Sequence, residues 1–291
     1  MENKLQISIV IPVYNEELAL TKTLEQIKEV MARTGLEHEI IAVNDGSKDK
    51  SGEILKNTQG IIALDHIQNK GYGASLKTGI KKSRFDRVLI IDADGTYPIN
   101  SIPEMLNYAK NYDQVIGARG LIKDGENAIP SERKLAKKFL NRFAGYLVGC
   151  NIPDLNSGFR LFRKDVVYKY WELFPDKFSF SSTLTMTFLS HGFETKFFPI
   201  EYYKRVGQSS IKATDFFNFL KLVTKLSLFF KPIKVFTPLS LLLLLFALLM
   251  PILFLEGVTQ KFLDTTFIVL CATALQTFFF GLLAEIVIHN K

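Results

Sequence analysis

In the stretch VLIIDADGTYP, residues 88–98, an apolar run ends on Asp92 and Asp94, one residue apart, followed by Gly95. Two carboxylates held close raise one another's pKa unless a cation sits between them, so the pair asks for a hard divalent ion held by oxygen ligands. Such an ion neutralises a diphosphate as its bond breaks, and Gly95 lets a phosphate approach the backbone. The plain alternative is a solvated aspartate pair in a turn. Basic chemistry lies elsewhere: Arg119 directly follows the apolar run QVIGA, and Arg133 opens the segment SERKLAKKFLNRFAGYLVG after Pro130. A guanidinium matches phosphate oxygens in a two-point fork, whereas Lys134, Lys137 and Lys138 read equally as a solvated helix face.

These residues need a scaffold, and the apolar runs supply one. ISIVIPV (7–13), HEIIAV (38–43), IIALDHI (61–67), RVLII (87–91) and QVIGA (114–118) are short and rich in Ile and Val. Helical patterns such as EELALTKTLEQIKEVMAR separate them, which predicts a mostly parallel α/β sheet with helices on both faces. In such sheets ligands bind beyond the carboxyl ends of the strands, where PVYNEE (12–17), NDGS (44–47) and DADG (92–95) fall. NDGS before KDKSGEIL also reads as turn and cap chemistry. Asn69, Gly71 and Gly73 precede a helical pattern (ASLKTGIKKS), where they either aim N–H groups at phosphate or let helix and strand pack closely.

Of 291 residues, 47% are apolar, and 36 basic against 29 acidic side chains give a net charge of +7. Cys150 and Cys271 have neither disulfide nor zinc spacing, so a reducing compartment is expected. The N-terminal run is too short for a secretory signal. Residues 235–255 carry no charge and residues 267–288 almost none, each long enough to cross a hydrocarbon core of roughly 30 Å. Lys221, Lys225, Lys231 and Lys234 before the first span, with His289 and Lys291 after the second, place the catalytic part and both termini in the cytoplasm. The expected organisation is a catalytic domain (1–212), an amphipathic juxtamembrane helix (213–234) and a transmembrane hairpin (235–291). Gly281, Ala284 and Thr277 could support a homo-oligomer. The positive charge lies beside lipid-length apolar segments, which disfavours nucleic acid as a partner.

Read together, PVYNEE, NDGS, NKGYGAS (69–75), DADG and NSGFRLFR (156–163) resemble glycosyltransferase family 2, the nucleotide-sugar-using enzymes of the GT-A fold. The resemblance covers about residues 5–212 and narrows to polyprenyl-phosphate sugar transferases similar to dolichol-phosphate mannose synthase, the two spans resembling the anchor of bacterial relatives. It implies a UDP- or GDP-sugar donor, a polyprenyl phosphate acceptor at the membrane, and Mg2+ or Mn2+ on Asp92 and Asp94. It carries Pro12, Tyr14 and Glu16 to base and ribose, Asp45 to the base edge, and Arg119 and Arg133 to the lipid phosphate. Gly73 falls at the donor phosphates and Ser157 near the sugar. YKRVGQSSIK (203–212) resembles the segment that closes over the diphosphate: Arg205 and Ser209 match, Ser210 stands where Lys is usual, and Lys212 is the substitute. Thr96 departs as well, from a frequent Gln. Internal ion pairing is the alternative reading for Arg160 and Arg163, and an equal one for Arg163. The only tryptophan, Trp171, lies in YWELF rather than in a QxxRW string, which weighs against a processive polymerase. A diacylglycerol-type or protein acceptor, or a non-catalytic membrane scaffold, are the alternatives.

Overall fold

The computed structural model describes residues 5–119, 131–177, 179–205, 224, 228–229, 231–257 and 264–289, with residues 131–137 and 289 described by backbone alone. The chain divides into two units, residues 1–145 with 150–216, and residues 146–149 with 217–291.

The first unit is built on a seven-stranded sheet ordered β3-β2-β1-β4-β6-β5-β7. Its strands are β1 (Ile7–Val13), β2 (His38–Asn44), β3 (Ile62–Asp65), β4 (Arg87–Ile90), β5 (Gln114–Arg119), β6 (Arg160–Arg163) and β7 (Thr195–Ile200). β1 pairs in parallel with β2 and β4, and β5 with β7, while β6 runs antiparallel between β4 and β5. This is the mostly parallel sheet the sequence predicts, with two further strands, β6 and β7.

Alternation along β1 explains the two layers. Ile7, Ile9, Ile11 and Val13 pack with Leu20, Leu24, Ile27 and Met31 of α1 (Leu20–Thr34) on one face. Val10 faces the other way, into a core with Leu76 and Ile80 of α3 (Tyr72–Lys82) and Phe180, Leu184 and Phe188 of α7 (Phe180–Ser190). Between them in chain order lie α2 (Ser51–Asn57), α4 (Ile102–Tyr108), α5 (Ser131–Val148) and α6 (Lys164–Lys169). Because both faces are covered, the carboxyl edge of β1, β2 and β4 is where polar chemistry collects.

The second unit holds α8 (Ile233–Leu255) and α9 (Asp264–His289), both long and apolar enough to cross a membrane. They pack closely: Ser240 Oγ donates to Ala274 O at 2.7 Å, and a Cβ at Gly281 would stand 2.6 Å from Phe236 Cβ. The small residue at 281 therefore serves the contact within the hairpin.

Candidate functional site

Three loops leave the carboxyl edge of β1, β2 and β4, and the first two are sewn together. Asn15 takes the left-handed conformation (φ 55°), its N–H donating to Ser47 Oγ at 3.0 Å while its Oδ1 accepts from Lys48 N at 2.8 Å. Glu16 N donates to Ser51 Oγ at 2.9 Å. Ser47, a helix cap in the sequence reading, instead pins the PVYNEE turn. Pro12 is the penultimate residue of β1, and Tyr14 stays exposed beside the turn.

The DADG loop after β4 is held from three sides. Tyr72, at the start of α3, donates its hydroxyl to Asp92 Oδ1 at 2.9 Å. Thr96 donates to Asp94 Oδ1 twice, from its backbone N at 3.1 Å and its hydroxyl at 2.6 Å. Opposite, Gly158 of the NSGF turn lies so near Asp92 that a Cβ there would stand 2.8 Å from the Asp92 Cγ, and its N–H donates to Tyr97 OH at 2.7 Å. Each aspartate thus has one oxygen, Oδ1, that accepts these hydrogen bonds and a second, Oδ2, that does not. Tyr72 and Tyr97 carried no role in the sequence reading, although each lies in or beside one of its strings, and Gly158 reads there only as part of a tight turn near the sugar.

A cation completes the cluster. Tyr203 N donates to Thr96 O at 2.9 Å and Tyr202 packs edge-on against Tyr97 at 5.4 Å, which lays the segment after β7 across the DADG loop. Arg205 then pairs with Glu16, and its Nε lies 3.7 Å from Asp94 Oδ2. Burial, opposed by Arg205 and reinforced by Asp94 and Asp92, pushes Glu16 up to about 7 from the usual 4.5. Burial and then the neighbouring Asp94 push Asp92 up to about 6 from 3.8.

Both groups bind protons more readily in the fold than in the unfolded chain. Their contribution to stability is therefore largest below about pH 4, where both states are protonated, and declines as pH rises toward 6 and 7. Thermal unfolding in the absence of divalent ions is expected to show a midpoint that falls between pH 5.5 and pH 8, at about 2–4 °C per kcal/mol. A midpoint that rises across that interval contradicts the charged cluster.

The other residues singled out from sequence have firm partners. Asp45 is buried and accepts from His66 Nδ1 at 2.7 Å, Lys70 N at 2.9 Å and Gly71 N at 2.9 Å, so it braces the NKG loop. Gly73 lies inside α3, one residue past its start, where a Cβ would stand 2.9 Å from Lys177 O and 2.9 Å from Asp176 C. Gly73→Ala is accordingly expected to destabilise the protein by about 1–3 kcal/mol through overpacking. Thermal melting checks this; an unchanged midpoint with a raised donor KM would assign the glycine to phosphate binding instead.

Arg119 grips Asp154 in a fork, Nε to Oδ2 at 2.7 Å and Nη2 to Oδ1 at 3.1 Å, and Nη2 also donates to Asn156 O at 2.9 Å. Ser157 is buried, its carbonyl accepting from Arg160 Nε at 2.9 Å. Arg160 is itself wholly buried, donating further to Ser181 O at 2.7 Å and Thr185 Oγ1 at 2.9 Å; burial lowers it to about 10. Arg163 pairs with Asp113 at 3.0 Å and Asp165 at 2.6 Å. The ion-pair reading thus holds for Arg163, whereas Arg160 is held by neutral carbonyl and hydroxyl acceptors instead. Arg133 lies on α5, but its side chain, with Ser209 and Lys212, falls outside the described residues.

Among the described residues no three His, Cys, Asp or Glu side chains form a cage that could hold a metal. The chemistry of the pair still suits a hard cation, since Asp92 Oδ2 and Asp94 Oδ2 take no hydrogen bond from described residues, Asp94 Oδ2 facing only the Arg205 guanidinium at 3.7 Å. An ion held by this pair would need its other ligands from substrate or water, a coordination that Mg2+ commonly uses.

The sheet and its acidic carboxyl edge define a GT-A-type transferase domain. The structure of glucosyl-3-phosphoglycerate synthase from Mycobacterium tuberculosis in complex with Mn2+, UDP and glucosyl-3-phosphoglycerate is similar in fold, at TM-score 0.57 and 18% identity, over 77% of this chain and 79% of that one. The model of glycosyl transferase family 2 matches residues 8–171, and the chain belongs to that family. It is similar to an uncharacterized protein of Methanocaldococcus jannaschii, 32% identical over 68% of this chain and 82% of the relative. It is also similar to a dolichyl-phosphate beta-glucosyltransferase of Trichomonas vaginalis, at 28% over 77% and 71%. A third relative is the undecaprenyl-phosphate 4-deoxy-4-formamido-L-arabinose transferase of Pectobacterium atrosepticum, 33% identical over 55% of this chain and half of that protein.

Proposed function

We propose that this chain transfers a sugar from a UDP- or GDP-sugar to a polyprenyl phosphate at the cytoplasmic face of a membrane, inverting the anomeric centre. The observation that carries the reading is the Asp92 and Asp94 turn at the end of β4, flanked by Glu16 and Arg205. The acceptor class is supported by the relatives named for dolichyl and undecaprenyl phosphate and by two helices long enough to hold the domain at a bilayer.

In this reading Pro12, Tyr14, Glu16 and Asp45 hold base and ribose, Gly73 stands near the donor phosphates, Ser157 borders the sugar, and Arg205, Ser209 and Lys212 meet the diphosphate. A Mg2+ or Mn2+ ion on Asp92 and Asp94 supplies neutralisation of the diphosphate charge. Arg119 and Arg133 receive the acceptor phosphate, with Asp154 fixing the Arg119 fork. A phosphate monoester has its second pKa near 6, so it is already ionised at neutral pH and needs no protein base to become a nucleophile. One of its oxygens attacks the anomeric carbon in line with the departing nucleoside diphosphate, whose charge the basic residues stabilise.

The test is a screen of radiolabelled UDP- and GDP-sugars with the purified full chain, offering undecaprenyl phosphate, dolichyl phosphate and diacylglycerol in parallel. Label is expected in a polyprenyl-phosphate product. Label only in diacylglycerol or in protein overturns the acceptor assignment.

A further inference from the structure

Arg205 meets two of the three carboxylates at this edge in a way that a purely structural ion pair does not require. Its contact with Glu16 is a direct hydrogen bond, but its buried Nε has no hydrogen-bond partner among the described residues and lies 3.7 Å from Asp94 Oδ2. A buried N–H left unbonded is costly, and an acceptor oxygen entering the site would relieve it. Asp94 Oδ1 is already taken by both Thr96 donors, so Oδ2, the oxygen under Arg205, is the one left for a divalent ion. The guanidinium and such an ion therefore compete for one carboxylate oxygen. Two cations so close repel strongly in a partly buried site.

We propose that Arg205 is the resident counter-ion of the Glu16, Asp92 and Asp94 cluster, and that a divalent ion binds well only with a nucleoside diphosphate whose oxygens draw the guanidinium away. This rests on the metal reading above and goes beyond it, because it makes ion and donor binding interdependent through one side chain. Thr96 and Tyr203 hold the two halves of the exchange together, joining the Asp94 loop to the segment that carries Arg205.

The test uses free Mn2+, followed by its electron paramagnetic resonance signal, with the full chain in detergent, with and without UDP. Without nucleotide, Arg205→Gln is expected to bind Mn2+ roughly tenfold more tightly than the native chain, while Arg205→Lys, which keeps the charge, stays near the native value. With UDP present, the native chain binds Mn2+ and Arg205→Gln holds UDP less tightly. Equal nucleotide-free Mn2+ affinity in the native chain and Arg205→Gln overturns the counter-ion role while leaving the metal site standing. No Mn2+ binding by any of the three proteins, with or without UDP, overturns the metal reading and this inference together.

Discussion

Asp94→Asn is expected to lower sugar transfer by a factor on the order of 10²–10³, the range seen when one preorganised electrostatic contact to a developing charge is removed. Asparagine keeps the shape and can still accept from Thr96 N and Thr96 Oγ1 through its carbonyl. What it loses is the negative charge and the second oxygen, which faces Arg205 at 3.7 Å. Folding is therefore expected to survive and even to gain, since the variant relieves repulsion against Asp92, whose pKa Asp94 helps to raise. Initial rates on a polyprenyl phosphate acceptor, read beside the melting midpoint, separate the two effects. A variant that is inactive only because it is unfolded does not meet the expectation.

Gly158→Ala is expected to be nearly as damaging, although residue 158 carries no functional group. A methyl there would stand 2.8 Å from both Asp92 Cγ and Asp92 Oδ1, distances that real Cβ contacts do not reach, so one of them must move. The turn cannot easily give way, because Gly158 N is bonded to Tyr97 OH and Arg160 is locked beneath it by Ser157 O and Ser181 O. The Asp92 carboxylate is the freer partner, held by Tyr72 OH at 2.9 Å. Displacing a positioned group by about 1 Å costs on the order of 10² in rate. We expect that loss in kcat, with donor KM changed far less; an unimpaired kcat shows that the carboxylate has room the structure does not give it.

These two positions also show how far the sequence could be read. Asp94 was visible because its chemistry is local: two carboxylates one residue apart after an apolar run need an explanation wherever they occur. Gly158 was visible only as part of a tight turn, because its contact with Asp92 spans a long stretch of sequence and forms only once β6 has slotted between β4 and β5. β6 itself escapes a periodicity reading, since RLFR is four residues long with an arginine at each end, one of them wholly buried on neutral acceptors. β7, TKFFPI, carries Pro199, which argues against a strand in mid-sheet; the strand lies at the sheet's edge, where a missing N–H is tolerated. The long Ile- and Val-rich strands were legible because burial on both faces demands them.

The same contrast runs through the site. Residue types at the carboxyl edge pointed to donor chemistry, but the partners that fix their geometry come from other strings: Tyr72 for Asp92, His66 for Asp45, Asp154 for Arg119. A pattern along the chain names candidates for charge, not which charges face each other. For Gly73 the two sequence readings, phosphate approach and close packing, are separated by the backbone of Pro175, Asp176 and Lys177, whose proximity only the fold supplies.

The most direct test of the central claim is transfer itself with divalent ions stripped away. Full chain in lipid nanodiscs, supplied with polyprenyl phosphate and the labelled donor it accepts, is treated with EDTA and then given back Mn2+ or Mg2+. Labelled glycolipid is expected to fall to background with the chelator and to return with the ion in the native chain, but not in Asp94→Asn. Undiminished synthesis in EDTA would contradict the account.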